Sequence, residues 1–170
     1  DKDHNRPHNY NVTNLHTHGL HVSPSGISDN VLLRVLPGGS QYYEIEIPQN
    51  HPAGTFWYHA HVHGSTAIQV ASGILGMLVI EGDLDKALVK RKIASRQLVF
   101  QQIPYSEYGD LESYRWISTG GFKASGRPSL INGQVMPKVI LTSNDIERWR
   151  LVTALSKDGF RLSLVDQNTR

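Results

Sequence analysis

Cysteine is absent from the 170 residues of the chain, and this absence excludes several kinds of site at once. Without a thiol, the chain can form no disulfide, offers no thiolate nucleophile and cannot build a cysteine-ligated zinc site. A blue-copper site is excluded as well, because it requires a cysteine thiolate among its ligands. Any metal chemistry in this chain must therefore use imidazole and oxygen ligands.

Long apolar runs and a large excess of charge are also missing. No window approaches the ~18 consecutive apolar residues of a membrane-spanning helix, and no charged-then-apolar leader opens the chain. The net charge of +2 is too small to indicate a nucleic-acid partner. Because 39% of the residues are hydrophobic and 19% are charged, the composition is typical of a soluble globular protein.

Short strand patterns separated by turns run through most of the chain. In residues 41–47 (QYYEIEI), Tyr43, Ile45 and Ile47 alternate with Tyr42, Glu44 and Glu46, which predicts a half-buried strand. Asn132-Gly133 lies between two apolar runs and predicts a tight hairpin turn. Further strands are expected within 55–62, 73–82, 98–105, 138–143, 147–155 and 159–165. This pattern predicts an all-β sandwich or barrel.

The charged stretch 83–97 contains no glycine or proline and interrupts the β-rich pattern. It indicates a short helix or a solvated linker, and it divides the chain. We expect a first unit at 1–85, a linker at 86–97 and a second unit at 98–170. Each unit is shorter than the ~100 residues of a complete immunoglobulin-like β-sandwich, so we expect both to be incomplete.

Histidine is plentiful, with nine residues that all precede Gly64. Two His-x-His pairs stand out, His16 with His18 and His59 with His61. In a strand the two members of such a pair point to the same face, with Cα atoms ~6.6 Å apart. In a helix they would lie on nearly opposite sides. Each pair therefore presents two parallel imidazoles only if its segment is extended.

Four neutral imidazoles suit copper, zinc, iron or nickel, whereas magnesium and calcium prefer oxygen ligands. One His-x-His pair alone is weak, but two pairs, each closely followed by a glycine, predict a metal site. The identity of the metal stays open on this ground. His63 is in phase with the second pair and is expected at the rim of the site. The other histidines (His4, His8, His21 and His51) are expected not to be ligands.

The two histidine segments resemble the first cupredoxin domain of a multicopper oxidase. The segments TNLHTHGLHV (13–22) and GTFWYHAHVHGSTAIQVASGILGMLVIEG (54–82) carry the resemblance, most of all to the bacterial laccase-like and cuprous-oxidase branch. The later segments LINGQ and ERWRLV resemble the second domain of the same proteins. The resemblance implies tandem cupredoxin-like Greek-key β-sandwich domains.

The same resemblance implies a copper-dependent oxidase. Such an enzyme couples one-electron oxidation of a substrate, here phenolic compounds or Cu(I), to the four-electron reduction of O2 to water. By this resemblance His16 is a ligand of the lone copper in a trinuclear cluster, and the coupled copper pair is bound by His18, His59 and His61. Asp29 aligns with an acidic residue that helps to deliver protons, although the family usually has glycine where this chain has Asn30.

The chain departs from the family in one large respect. The His-Cys-His motif that joins the blue copper to the cluster is absent, and only half of the cluster's histidines are present. We therefore expect a fragment that is inactive alone and whose cluster is completed by a C-terminal cupredoxin domain of the same protein or of a neighbouring subunit. The resemblance also implies a periplasmic or secreted location.

Two other functions remain open at this point. The first is a non-catalytic copper-binding module that keeps the fold without the oxidase chemistry. The second is a mononuclear zinc or iron enzyme with histidine ligands on an unrelated β fold, which requires all four imidazoles to reach one ion.

Overall fold

The computed structural model describes residues 10–103, 108, 129–155 and 161–165. Its first sheet is antiparallel, with the strand order β1-β2-β3. A second sheet has the order β6-β5-β4-β7, in which β4 and β7 run parallel. The strands are β1 (His16–His18), β2 (Gly54–His59), β3 (Leu75–Ile80), β4 (Ala94–Gln101), β5 (Leu130–Ile131), β6 (Gln134–Val135) and β7 (Glu147–Ala154).

Two short helices complete the described structure, α1 (Thr66–Ala71) and α2 (Asp83–Lys90). Helix α1 is not predicted from the sequence. It follows the second histidine pair directly, and its Gln69 is buried. Within the described part of the chain, no helix is long and apolar enough to cross a membrane.

The first sheet sets the register of the histidine segments. His16 lies opposite His59, and His18 lies opposite Trp57. Across the other edge of β2, Tyr58 pairs with Gly76 of β3. The Tyr58 ring covers Gly76 so closely that a Cβ at this position would overlap the phenol. Glycine is therefore required here for the β2–β3 pairing as it stands.

The predicted hairpin at Asn132-Gly133 is confirmed, since these two residues join β5 to β6. Both have positive φ, 50° and 77°, as a type I′ turn requires. The Asn132 side chain also accepts a hydrogen bond from the Val99 amide at 2.8 Å and donates to the Gln97 carbonyl at 2.9 Å. These two bonds fix the turn against β4.

A buried arginine connects the two sheets. Arg150 of β7 is 4% exposed and donates a hydrogen bond to the Thr55 hydroxyl of β2 at 2.6 Å. It also pairs with the Asp85 carboxylate of α2. The same carboxylate accepts a hydrogen bond from the Arg148 guanidinium at 2.8 Å. Asp85 in turn accepts a hydrogen bond from the Gly82 amide at 2.9 Å, which caps α2. Helix α2 is thereby tied to both sheets.

Several predicted elements differ from the structure. Residues 41–47 keep the alternation of half-buried and exposed side chains up to Glu46, but they are not paired in a strand, and the Glu44 amide donates to the Ile27 carbonyl. Residues 138–143 are likewise not a strand. Of the predicted strand at 159–165, positions 161–165 are described and are not a strand, and the rest lie outside the described residues.

The charged stretch 83–97 is helical only in part. Its first residues form α2, and its last residues begin β4 at Ala94. Lys92, between the two elements, has a φ of 57°, and its amide donates to the Val89 carbonyl, which ends the helix. The division of the chain into units at 1–85 and 98–170 stays a prediction.

Candidate metal centre

Pairing of β1 with β2 brings His16, His18 and His59 together on the first sheet, and His61 follows two residues after the end of β2. The ring centroid of His16 lies 5.6 Å from that of His18, 5.3 Å from that of His59 and 5.0 Å from that of His61. Ring nitrogens of His16, His18 and His59 lie within 4.8 Å of one another. Antiparallel pairing explains this arrangement, because residues directly opposite in neighbouring strands place their side chains on the same face.

Two of the ring nitrogens converge closely. Nδ1 of His18 lies 3.1 Å from Nε2 of His59. Two nitrogens that bind one metal tetrahedrally at about 2.0 Å each are about 3.3 Å apart. The separation of this cross-strand pair therefore fits one shared metal ion.

In two of these rings, a hydrogen bond to a backbone carbonyl or a carboxylate determines which nitrogen carries the proton. Nδ1 of His59 donates to the Ala60 carbonyl at 2.9 Å, and Nδ1 of His16 donates to Asp29 Oδ2 at 2.9 Å. Each bond holds the proton on Nδ1 and leaves the lone pair on Nε2, which in His59 faces Nδ1 of His18 at 3.1 Å. Such bonds to the second nitrogen are a regular feature of metal-binding histidines.

Asp29, which the resemblance assigned to proton delivery, lies directly against His16. It is 8% exposed, and its Oδ1 accepts a hydrogen bond from the Thr17 amide at 2.7 Å. Both carboxylate oxygens are thus engaged by β1. The observed geometry gives Asp29 the role of orienting His16, and its role in proton transfer stays a prediction.

Trp57 is part of the site although sequence reasoning did not single it out. Its indole stacks on His59, with ring centroids 4.2 Å apart and an angle of 27° between the planes. It also stacks on His18 at 4.8 Å and 29°. The signal was present in the sequence, because Trp57 is two residues before His59 and shares its face of the strand.

The surroundings favour neutral imidazoles. Burial lowers the pKa of both His18 and His59 below the ordinary value of 6.5, and the nearby His16 lowers the pKa of each further. Metal ions bind histidine only in its neutral form. Burial therefore favours the metal-binding form of these two imidazoles.

The other described histidines differ in their surroundings, and His4 and His8 lie outside the described residues. His61, whose ring centroid is 5.5 Å from that of His59, is exposed, and so are His18 and His63. His51 lies away from the cluster and uses both ring nitrogens. Its Nε2 accepts from the His21 amide at 2.9 Å, and its Nδ1 donates to the Pro52 carbonyl at 2.8 Å. His51 therefore has no lone pair left for a metal.

The donor set fits copper. Four imidazoles offer nitrogen ligands of the type that copper, zinc, iron and nickel accept. The hydrogen bonds from His16 to Asp29 and from His59 to Ala60 supply the outer contacts that such ligands need. Because His18 and His61 are exposed, one side of the cluster is open to additional ligands.

Comparison with known proteins identifies a family. The sequence model for multicopper oxidases matches residues 4–85. Cell division protein FtsP of Salmonella typhimurium is 30% identical over 71% of this chain and 25% of its own length. Multicopper oxidase mco of Staphylococcus aureus is 29% identical over 89% of this chain and 33% of its own length.

A solved structure agrees in fold. The McoA multicopper oxidase 2F4 variant from Aquifex aeolicus superimposes with a TM-score of 0.68 and 24% identity, over 87% of this chain and 32% of that one. The chain thus spans 25% to 33% of the length of these relatives.

Proposed function

Because residues 4–85 make this chain a member of the multicopper oxidase family, with its all-β cupredoxin-like fold, we propose that the two histidine pairs supply four ligands to a trinuclear copper cluster. The observation that carries the proposal is the β1–β2 register, which brings ring nitrogens of His16, His18 and His59 within 4.8 Å of one another.

Within that cluster, we propose that His18 and His59 share one copper, since their facing nitrogens are 3.1 Å apart. His61 is then the ligand of the second copper of the coupled pair, and His16 is the ligand of the lone copper. The last two assignments rest on the resemblance to the family. They are compatible with the free Nε2 of His16, whose Nδ1 is engaged by Asp29.

Bound copper would supply the one-electron chemistry by which a phenolic compound or Cu(I) is oxidised and O2 is reduced to water. The residues of this chain have simpler tasks. Asp29 keeps the His16 proton on Nδ1, and the Ala60 carbonyl does the same for His59. Trp57 covers one face of each of two imidazoles, which shields them from water and limits their rotation.

The activity of the whole protein is proposed on the basis of its relatives. We propose that this chain is inactive alone and that a further cupredoxin domain, of the same protein or of a neighbouring subunit, completes the cluster on the side where His18 and His61 are exposed. O2 and a reducing substrate would be its partners. The resemblance to bacterial members leads us to propose a periplasmic or secreted location.

Copper binding by single-histidine variants tests the ligand assignment. Equilibrium dialysis of Cu(II) against the 170-residue chain is expected to show binding that weakens about tenfold or more in His16→Ala and His59→Ala. His21→Ala and His63→Ala are the matched controls and should bind as the unchanged chain does. Equal losses in all four variants would contradict the proposal, because they would mean that histidines bind copper without a specific site.

Oxidase activity is a separate question, because one matching relative is named for cell division and not for oxidation. The alternative is therefore a module that binds copper without oxidising a substrate. The complete protein, loaded with copper, should consume O2 when given a phenol or Cu(I). Full copper loading without O2 consumption would favour the binding module. Tight binding of a single metal by this chain would favour a mononuclear site if an alanine at any one of the four proposed ligands abolishes it (His16, His18, His59 and His61).

A further inference from the structure

Asn14 is a buried polar residue whose side-chain amide both donates and accepts a hydrogen bond. It is 7% exposed and lies two residues before His16. Its Nδ2 donates to the Val31 carbonyl at 2.7 Å, and its Oδ1 accepts from the His61 amide at 2.6 Å. One side chain thus connects the entry to β1, the loop that follows Asp29, and the segment that carries His61.

The bond to His61 fixes a residue that the sheet leaves free. Strand β2 ends at His59, so the β1–β2 register determines His59 but does not extend to His61. The neighbouring Ala60 amide makes only a long hydrogen bond, 3.4 Å, to the Ile74 carbonyl. The shorter bond to Asn14 therefore determines where the His61 backbone lies.

Asn14 is itself held in place by its neighbours. Thr13 exchanges two backbone hydrogen bonds with Val35, at 3.0 and 2.7 Å. The buried amide of Gln69 donates to the Val12 carbonyl at 2.7 Å. After Asn14, the chain enters β1, where the Thr17 amide is bound by Asp29. The side chain of Asn14 therefore projects from a segment anchored on both sides.

We propose that Asn14 is a positioning residue that sets the place of His61 relative to His16. The proposal rests on the proposed function of these histidines as metal ligands. Packing alone does not explain the residue, since a leucine fills a similar volume and avoids the cost of burying an amide. What leucine lacks is the acceptor for the His61 amide and the donor for the Val31 carbonyl.

Hydrogen exchange of the metal-free chain tests the position directly. The His61 amide should be protected in the unchanged chain, and its exchange should become about tenfold faster in Asn14→Leu, because one hydrogen bond is lost. Asn14→Asp keeps an acceptor for the His61 amide but loses the donor to the Val31 carbonyl, so its protection should lie between those of the unchanged chain and Asn14→Leu. Gln102→Met is the matched control, since it removes another buried amide, one that directly follows β4 in the second sheet. Unchanged exchange at His61 in Asn14→Leu overturns the proposal.

Copper binding provides the second measurement. Equilibrium dialysis of Cu(II) should show about tenfold weaker binding for Asn14→Leu than for Gln102→Met, which is the typical cost of losing an outer contact of a metal site. Equal binding by these two variants overturns the positioning role, because the effect is then one of general stability. If the unchanged chain binds no copper, the proposed function fails, whereas the exchange result still decides the position of His61.

Discussion

The carboxylate of Asp29 binds the first histidine of the site and the next backbone amide together. Oδ2 accepts the proton of His16 Nδ1 at 2.9 Å, and Oδ1 accepts the Thr17 amide at 2.7 Å. In Asp29→Asn, the remaining oxygen stays with the Thr17 amide and keeps only the longer contact with His16 Nδ1, at 3.1 Å, whereas an NH2 group replaces the nearer oxygen beside Nδ1. That donor favours the tautomer with the proton on Nε2, which removes the lone pair needed for a metal. We expect copper affinity to fall about 10- to 100-fold.

The tautomer of His16 can be observed in the absence of metal. Ring nitrogen chemical shifts in NMR spectra should place the proton of the unchanged chain on Nδ1 and that of Asp29→Asn on Nε2. Asp83→Asn is a suitable control, because the Asp83 carboxylate is fully exposed and pairs only with Lys86 at 3.4 Å. Finding the proton on Nδ1 in both chains would refute the orienting role of Asp29.

Trp57 provides an optical signal for metal binding. Its indole lies 4.2 Å from the ring of His59 and 4.8 Å from that of His18, so Cu(II) bound to these rings should quench its fluorescence. We expect Cu(II) titration to quench the unchanged chain strongly and Trp57→Phe only weakly. Trp149→Phe, which changes the second sheet, should keep the quenching. Phenylalanine preserves a stacking surface, so Trp57→Phe should bind Cu(II) within about threefold of the original affinity.

A feature of the site can be predicted from the sequence when it depends on residues that are close together in the chain. The spacing of His16 and His18, in a segment of strand composition, predicted that two imidazoles share a face, and both residues lie in β1. The turn at Asn132-Gly133 was predictable for the same reason, because its backbone conformation is a property of two adjacent residues. These features need no knowledge of the tertiary structure.

Contacts between distant segments could not be predicted in this way. Asn14 meets His61 across 47 positions of sequence, and Asp29 reaches His16 from a loop without regular structure. Residues 41–47 show the reverse case. Their alternation is real, but a strand also requires a partner with free backbone groups, and alternation contains no information about where that partner lies.

The buried Arg150 should be important for stability. Its side chain is 3% exposed, pairs with Asp85 and donates to Thr55, so Arg150→Met leaves a half-buried hydroxyl and part of a carboxylate without this partner. We expect the free energy of unfolding to fall by about 1–3 kcal/mol. Arg148 binds the same carboxylate but is 28% exposed, and Arg148→Met should cost only about 0.5 kcal/mol. Urea denaturation measures both, and equal losses would show that burial of Arg150 adds nothing.

Glu147 should make the stability of the chain depend on pH in the acid range. The Arg96 guanidinium, which binds this carboxylate at 2.7 and 2.5 Å, lowers the pKa of Glu147, and the Trp149 indole N–H lowers it further. Because the folded pKa is below the unfolded one, the stabilisation is fully present above the ordinary pKa of 4.5 and is lost as the pH falls through the folded value.

Glu147→Gln should therefore be less stable than the unchanged chain at pH 7, and the difference should shrink towards pH 3. Urea denaturation of both chains at several pH values measures the difference between their free energies of unfolding. Because both chains share the other carboxyl groups, the contribution of these groups cancels in this difference. A difference that stays constant from pH 7 to pH 3 would show that Arg96 and Trp149 bind the protonated acid as well as the carboxylate.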